Sequence, residues 1–254
     1  LDKLMNKYRE PVTSLILRKF SNIGYKVRYK LLNSADFGVP QKRQRVIFIG
    51  TKHKISLTHP YPTHTDTKTG PQKTFTGKTL LPWVSVREAI DDLKGKKEDE
   101  ESSHIYTFHN DEFKNKISNT PIGKSVFGGY SDSFYRNSPD EPARTVKENH
   151  GGVLVHYEKD RVMTPRELAR LQSFPDDFKF LGSKSNILKQ IGNAVPPGLG
   201  KAIGLHILKM LEEIYNQKNI QLKEVEISPT LTTIRPNLLI DSKSQKAFQV
   251  TKEN

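Results

Sequence analysis

Three side chains at alternate positions carry the clearest chemistry in this sequence: Gln41, Arg43 and Arg45, within Asp36-Phe37-Gly38-Val39-Pro40-Gln41-Lys42-Arg43-Gln44-Arg45-Val46. In an extended segment residues two apart share a face, so one amide and two guanidinium groups would project together from the start of a strand. Guanidinium forks bind phosphate and base-edge oxygens bidentately. By chemistry alone the same pattern also describes an ordinary basic strand edge. Other patterns carry less. Gly123-Lys124-Ser125 ends like a phosphate-binding loop, but Ser118 stands where the first glycine belongs, so the nest of amides is not encoded. Gly198, Gly200 and Gly204 miss the dinucleotide spacing by one residue and lie inside a helical pattern. His53, His59 and His64 occupy a loop without carboxylates at ligand spacing and read as surface histidines rather than a metal site. The chain has no cysteine, which removes disulfides, cysteine–zinc sites and thiol catalysis by these residues.

Composition points to the partner. The 254 residues include 41 Lys plus Arg against 28 Asp plus Glu, a formal net charge of +13, with a pI near 9.7 and a mean hydropathy of −0.64. A basic protein of this kind favours a polyanion, usually nucleic acid. No apolar run reaches the ~18 residues of a membrane span. The first residues do not form a secretory signal, and a first residue other than Met suggests a piece of a longer chain.

The elements that must position these groups follow from periodicity. Pro11–Phe20 reads as a helix with Val12, Leu15, Ile16 and Phe20 in one stripe and Gly24 as a stop. Tyr25–Leu32 alternates apolar and basic residues, as a half-buried strand does. Arg45–Gly50 is a β-branched run expected to be a buried strand. From His53 to Gly152 Pro, Gly, Thr, Ser, Asn and charge dominate. Trp83–Leu93 reads there as a short helix and Lys94–Glu101 as a solvated loop. Scattered aromatics, among them Tyr106, Phe108, Phe127, Tyr130, Phe134 and Tyr135, favour a loop-rich module over disorder. Val153–His156 is strand-like. Thr164-Pro165-Arg166-Glu167 is a capping box launching a helix through Gln172. A second helix follows Pro196-Pro197, with Leu199, Ile203, Ile207, Leu211 and Ile214 in one stripe. After Gln217 the tail is polar, with a possible short strand at Leu238–Ile240.

Three stretches of wording are more specific. Asn33–Gly50 resembles motif VIII of the DNA (cytosine-5)-methyltransferases, Arg161–Phe178 resembles their motif IX, and Lys189–Leu199 their motif X. They occur in family order with a variable insert between the first two, and the resemblance covers about residues 4–215. It implies an α/β fold, the C-terminal part of a Rossmann-like S-adenosylmethionine-dependent methyltransferase domain with an inserted, loop-rich target recognition domain. Residues 1–52 would be the edge of the catalytic domain, 53–152 the recognition domain, 153–217 motifs IX and X with the returning helix, and 218–254 a polar tail.

The resemblance also implies a reaction. The family flips the target cytosine out of the duplex. A cysteine thiolate attacks C6, a glutamate assists at N3, C5 takes the methyl group of S-adenosylmethionine, and β-elimination frees the enzyme. The proline–cysteine, Glu-Asn-Val and Phe-x-Gly-x-Gly motifs that serve this chemistry lie N-terminal to motif VIII in the family and are absent from this sequence. A complementary N-terminal half, as a separate chain or an upstream segment, would supply them. Arg45 would be catalytic, reaching O2 of the flipped cytosine. Gln41 and Arg43 would hold the DNA backbone or the catalytic loop. Arg136, Arg144, Thr145 and Lys147 would join Arg45, Gln41 and Arg43 in contacting double-stranded DNA, with Asn149 and His150 as further candidates. Thr145-Val146 matches the family's short signature in the recognition domain. Asn193, Ala194 and Val195 would pack against S-adenosylmethionine, with Asn193 as a mere helix cap the competing reading. Arg166 and Glu167 would organise the recognition domain rather than touch substrate. The setting implied is a prokaryotic cytoplasm, at the nucleoid. The competing function is a non-catalytic DNA-binding or regulatory subunit of the same fold.

Overall fold

The structure is a computed structural model. It describes residues 11–217 apart from 67, 69, 71, 74–76, 129–132 and 149–153, together with strands at 223–226, 238–241 and 246–249. Tyr130, Asn149, His150 and Val153 lie outside the described residues. The chain forms two compact units. One comprises residues 1–30, 47–60 and 202–254, the other residues 31–46 and 61–201.

In the first unit, α1 (Val12–Asn22) starts after Pro11 and ends at Ile23, and Gly24 follows at φ 83°, a left-handed position that suits glycine. Strands β1 (Lys26–Asn33) and β2 (Gln44–Thr51) pair with one another, and each runs on into the second unit. Both are less buried than their patterns suggest. In β1 only Leu32 is buried, and in β2 only Ile49. Alternation located the strands, but their apolar residues include the exposed Tyr29 and Leu31. Ile49, Leu57 and Met210 make the small core of this unit, with Ile47 and Ile55 against it. In the tail, β7 (Lys223–Glu226), β8 (Leu238–Asp241) and β9 (Lys246–Gln249) form an antiparallel sheet in the order β7-β9-β8, of which only β8 was read from sequence.

The second unit holds the larger core. Short strand pairs brace its loops: β3 (His64–Thr65) beside β4 (Leu81–Pro82), and β5 (Tyr135–Arg136) beside β6 (Leu154–Val155), both parallel. The helix expected at Trp83–Leu93 is α2 (Val86–Ile90), opened by a Ser85–Glu88 capping box and continued as a 3-10 turn at Asp91–Leu93. An eight-residue helix, α3 (Asp111–Ser118), capped by Asn110, stands in the stretch read only as loop-rich. Ile117 is its one buried residue, and Phe113 and Ile117 are its only apolar side chains, too short a stripe to stand out from a loop-rich stretch. The Thr164–Glu167 capping box is present and launches α4 (Pro165–Leu171). A further helix unread in the sequence, α5 (Lys184–Asn193), is capped by Ser183 and buries Ile187 and Ile191. Val86, Ile90, Leu154, Met163, Leu168, Leu171, Ile187 and Ile191 share one core. Helix α6 (Pro197–Gln217) begins at the second proline of the Pro196-Pro197 pair, and from Ala202 on it belongs to the first unit. Leu199 and Ile214 of its stripe are buried, whereas Ile207 is 36% exposed. Gly198, Gly200 and Gly204 lie within this helix, as their pattern implied.

Candidate functional site

Motif VIII enters β2 through a stretch that is buried on one side. Gln41 and Arg43 are buried at 0% and 6% exposure, while Arg45 is exposed. The three alternate residues therefore do not share a solvent face. The Gln41 side chain accepts the Val146 N–H at 3.0 Å and donates to the Leu171 carbonyl and to Gln172 Oε1, each at 3.1 Å. The Arg43 guanidinium donates through one nitrogen to the Val146 carbonyl at 2.8 Å and through the other to the Gly192 carbonyl at 3.0 Å. Its Nε is buried without a partner. Burial, and secondly the charge of Arg45, push this guanidinium down to about 10, which leaves it charged at neutral pH. Both side chains, expected to hold the DNA backbone or the catalytic loop, are here buried and bonded to Val146, Leu171, Gln172 and Gly192 of the same chain.

The other expected DNA residues divide. Arg136 is largely buried and paired with Asp160 at 2.9 Å. Arg144 lies with its guanidinium carbon 3.7 Å from the Tyr135 ring centroid, a cation–π contact. Thr145 donates its hydroxyl to the Lys42 carbonyl at 3.0 Å. Lys147 is exposed. Arg45 is exposed and its guanidinium is held only lightly, by a 2.7 Å bond to the carbonyl of its own neighbour Gln44.

Motif X ends α5 and turns into α6. Gly192 is buried against the backbone of Lys147 and Glu148. A Cβ there would lie 2.3 Å from the Glu148 nitrogen and 2.4 Å from the Lys147 carbonyl carbon, so only glycine lets the two chains cross. Asn193 is the last residue of α5, and its amide donates to the Glu148 carboxylate. The capping reading of Asn193 is therefore corrected: it sits at the C-terminus of one helix and its side chain leaves the backbone altogether. Pro196 and Pro197 have no N–H, the Gly198 N–H goes to Ser173 Oγ at 2.9 Å and the Gly200 N–H to the Pro196 carbonyl at 2.9 Å. What a cofactor could meet is the exposed Asn193 amide, Ala194, and the 63% exposed Val195 side chain, one polar and one apolar contact, which fits one flank of S-adenosylmethionine.

Residues 161–167 carry further buried polar groups. Arg166 is 1% exposed and donates to three backbone carbonyls, those of Ser102, Pro175 and Phe178. Glu167 is buried, takes both guanidinium nitrogens of Arg161 and accepts the Thr164 N–H. Both are structural, in line with their expected role. His156, also fully buried, uses Nδ1 to accept the N–H groups of Glu158 and Lys159, and burial pushes its imidazole down to about 4. Of the loop histidines, His64 is half-buried beneath Gly38, and His59 bonds the Ile47 carbonyl at 3.0 Å, so they are less superficial than expected. Sequence reasoning missed Gln172, the second amide of the Gln41 pair, and Glu148, for which no spacing gives a signal.

The model of the C-5 cytosine-specific DNA methylase family matches residues 2–209, and the chain belongs to this family. It is 38% identical over 207 residues to the Type II methyltransferase M1.HphI of Haemophilus parahaemolyticus, covering 77% of this chain and 51% of the relative. It is 31% identical over 253 residues to M.NgoFVII of Neisseria gonorrhoeae, covering 91% and 64%. The chain thus spans between half and two thirds of the length of these relatives. Among solved structures, a candidate DNA modification methyltransferase encoded within an E. coli prophage superposes with a TM-score of 0.59 at 21% identity, covering 82% of this chain and 67% of that one. That likeness concerns the fold. Among the described residues no helix is long and apolar enough to cross a membrane.

Proposed function

We propose that this chain is the C-terminal part of a DNA (cytosine-5)-methyltransferase of the restriction–modification kind, acting on double-stranded DNA with S-adenosylmethionine, in a prokaryotic cytoplasm at the nucleoid. The observation that carries the reading is the Arg43 fork, which joins the recognition segment at Val146 to the cofactor turn at Gly192 while Arg45, two residues on, stays exposed. A part that must hold DNA recognition and cofactor contacts in one frame needs such a join. Residues 53–152 carry target choice in this reading, and residues 153–217 carry motifs IX and X. The exposed Tyr29 and Leu31 of β1 support a further part of the catalytic α/β domain, carrying the proline–cysteine and Glu-Asn-Val motifs, that would cover them.

S-adenosylmethionine, when bound, supplies the methyl group, and Asn193, Ala194 and Val195 flank it. Arg45 donates to O2 of the flipped cytosine and stabilises the negative charge that develops on the ring as a thiolate adds to C6. The second reading, a non-catalytic DNA-binding or regulatory subunit, draws on one fact, the absence of cysteine from these 254 residues. Labelled S-adenosylmethionine and DNA, incubated with the full methyltransferase and followed by nucleoside digestion, test the proposal. Label in 5-methylcytosine is the expected result, and label in another base or none overturns it. Exchange of residues 53–152 with a relative's segment should move the methylated site, and an unchanged site in a folded chimera removes the recognition assignment.

A further inference from the structure

Two chain segments 45 positions apart, Val146–Glu148 and Ile191–Asn193, cross with backbone against backbone at Gly192. A closed ring of hydrogen bonds surrounds the crossing. Val146 bonds Gln41 through its N–H, Gln41 bonds Gln172, Gln172 bonds the Ile191 carbonyl at 2.7 Å, and Arg43 returns from the Gly192 carbonyl to the Val146 carbonyl. Every member of this ring is a backbone group or a buried side chain, so the crossing moves as one body. At its solvent edge stand two exposed residues, Glu148 from the recognition segment and Asn193 from the cofactor turn, joined by a bond from the Asn193 amide to the Glu148 carboxylate.

We infer that Glu148 is a positioning residue that fixes the Asn193 amide for the cofactor and links cofactor affinity to occupancy of the recognition segment by DNA. The inference rests on the functional reading above. With Nδ2 given to a carboxylate, the Asn193 amide cannot rotate freely, and its Oδ1 is left as an acceptor for a ligand N–H such as the α-ammonium of S-adenosylmethionine. Glu148 follows directly on the exposed Lys147, so a phosphate drawn to that lysine acts on the same short stretch that holds Asn193. Two ligands that bias one contact must change each other's affinity by the same factor.

The test is calorimetric titration of the full methyltransferase with S-adenosylhomocysteine, with and without long unmethylated duplex DNA of mixed sequence. For the natural sequence the affinity should differ by about fivefold or more between the two conditions, within the usual range of coupling. Glu148→Ala should weaken binding of the homocysteine compound without DNA and reduce the difference to less than about twofold. Glu148→Gln, whose amide oxygen still accepts from Asn193, should restore most of both. Melting temperature should stay level throughout, because Glu148 is exposed. An alanine variant that keeps the full difference, or a glutamine variant no better than alanine, overturns the inference and leaves the functional reading standing. A natural-sequence enzyme that binds no S-adenosylhomocysteine overturns both.

Discussion

The Gln41 side-chain oxygen accepts the backbone N–H of Val146 at 3.0 Å, across 105 positions of sequence. Gln41 is wholly buried, and the same amide donates to Leu171 and Gln172. Gln41 thus ties the stretch leading into β2 to Val146 and to the end of α4 from a buried position.

Gln41→Ala should therefore act on stability. It leaves the Val146 N–H and the Leu171 carbonyl without their partner in a dry interior, a loss of about 3 kcal/mol. Gln41→Glu should do no better, because a carboxylate would face the Leu171 and Gln172 oxygens. Denaturant midpoints of both variants check this. Unchanged midpoints with weakened DNA binding would return Gln41 to the DNA interface.

Arg45→Ala should leave the fold intact, since the side chain is exposed and bonds only the Gln44 carbonyl. Methylation by the assembled enzyme should slow by roughly two orders of magnitude or more, the scale for losing one preorganised charge-stabilising donor, while DNA affinity falls less. Single-turnover rates and duplex titrations separate the two. Near-normal turnover with collapsed binding would make Arg45 a phosphate contact only.

Acid should destabilise the second unit in a window set by His156. Its imidazole is pushed down to about 4 from 6.5 by burial, with Glu167 opposing and Arg161 adding to the shift. Between these values the unfolded chain binds a proton that the folded chain does not, so stability is complete above pH 6.5 and is lost as pH falls toward 4, by up to about 3 kcal/mol. Burial lowers His104 as well, in the same direction. Asp92 and Glu141, held at about 2 by Arg170 and by Lys68 and Lys42, lose their contributions mainly below this window. Urea midpoints at pH 7, 5.5 and 4.5 should fall steeply, and His156→Gln should flatten the fall by about half or more. An identical slope in the variant would remove His156 as the cause.

The sequence announced local structure better than it announced exposure. The Thr164–Glu167 capping box, the proline-started α6 and the β2 run were legible because each rests on short-range rules of capping, φ restriction and β-branching. Helices α3 and α5 were not, since each carries only two or three apolar side chains within a polar stretch and their caps, Asn110 and Ser183, are common loop residues. The site was half legible. Gln41, Arg43 and Arg45 were found by their alternation, yet alternation says which residues share a face and not which face is covered. What covers Gln41 and Arg43 is Val146, Gln172 and Gly192, all more than 100 positions away, and no local pattern carries that information. Glu148 belongs to the same category, a partner defined only by the crossing at Gly192.

The most direct measurement of the central claim is methyl transfer by this 254-residue segment alone and after joining to the complementary methyltransferase part that carries the proline–cysteine and Glu-Asn-Val motifs. With no thiol among its residues, the segment alone should place no label from S-adenosylmethionine in DNA, and the joined enzyme should place it in 5-methylcytosine. Formation of 5-methylcytosine by the segment alone, or its absence from a folded joined enzyme with DNA of mixed sequence, would contradict the account.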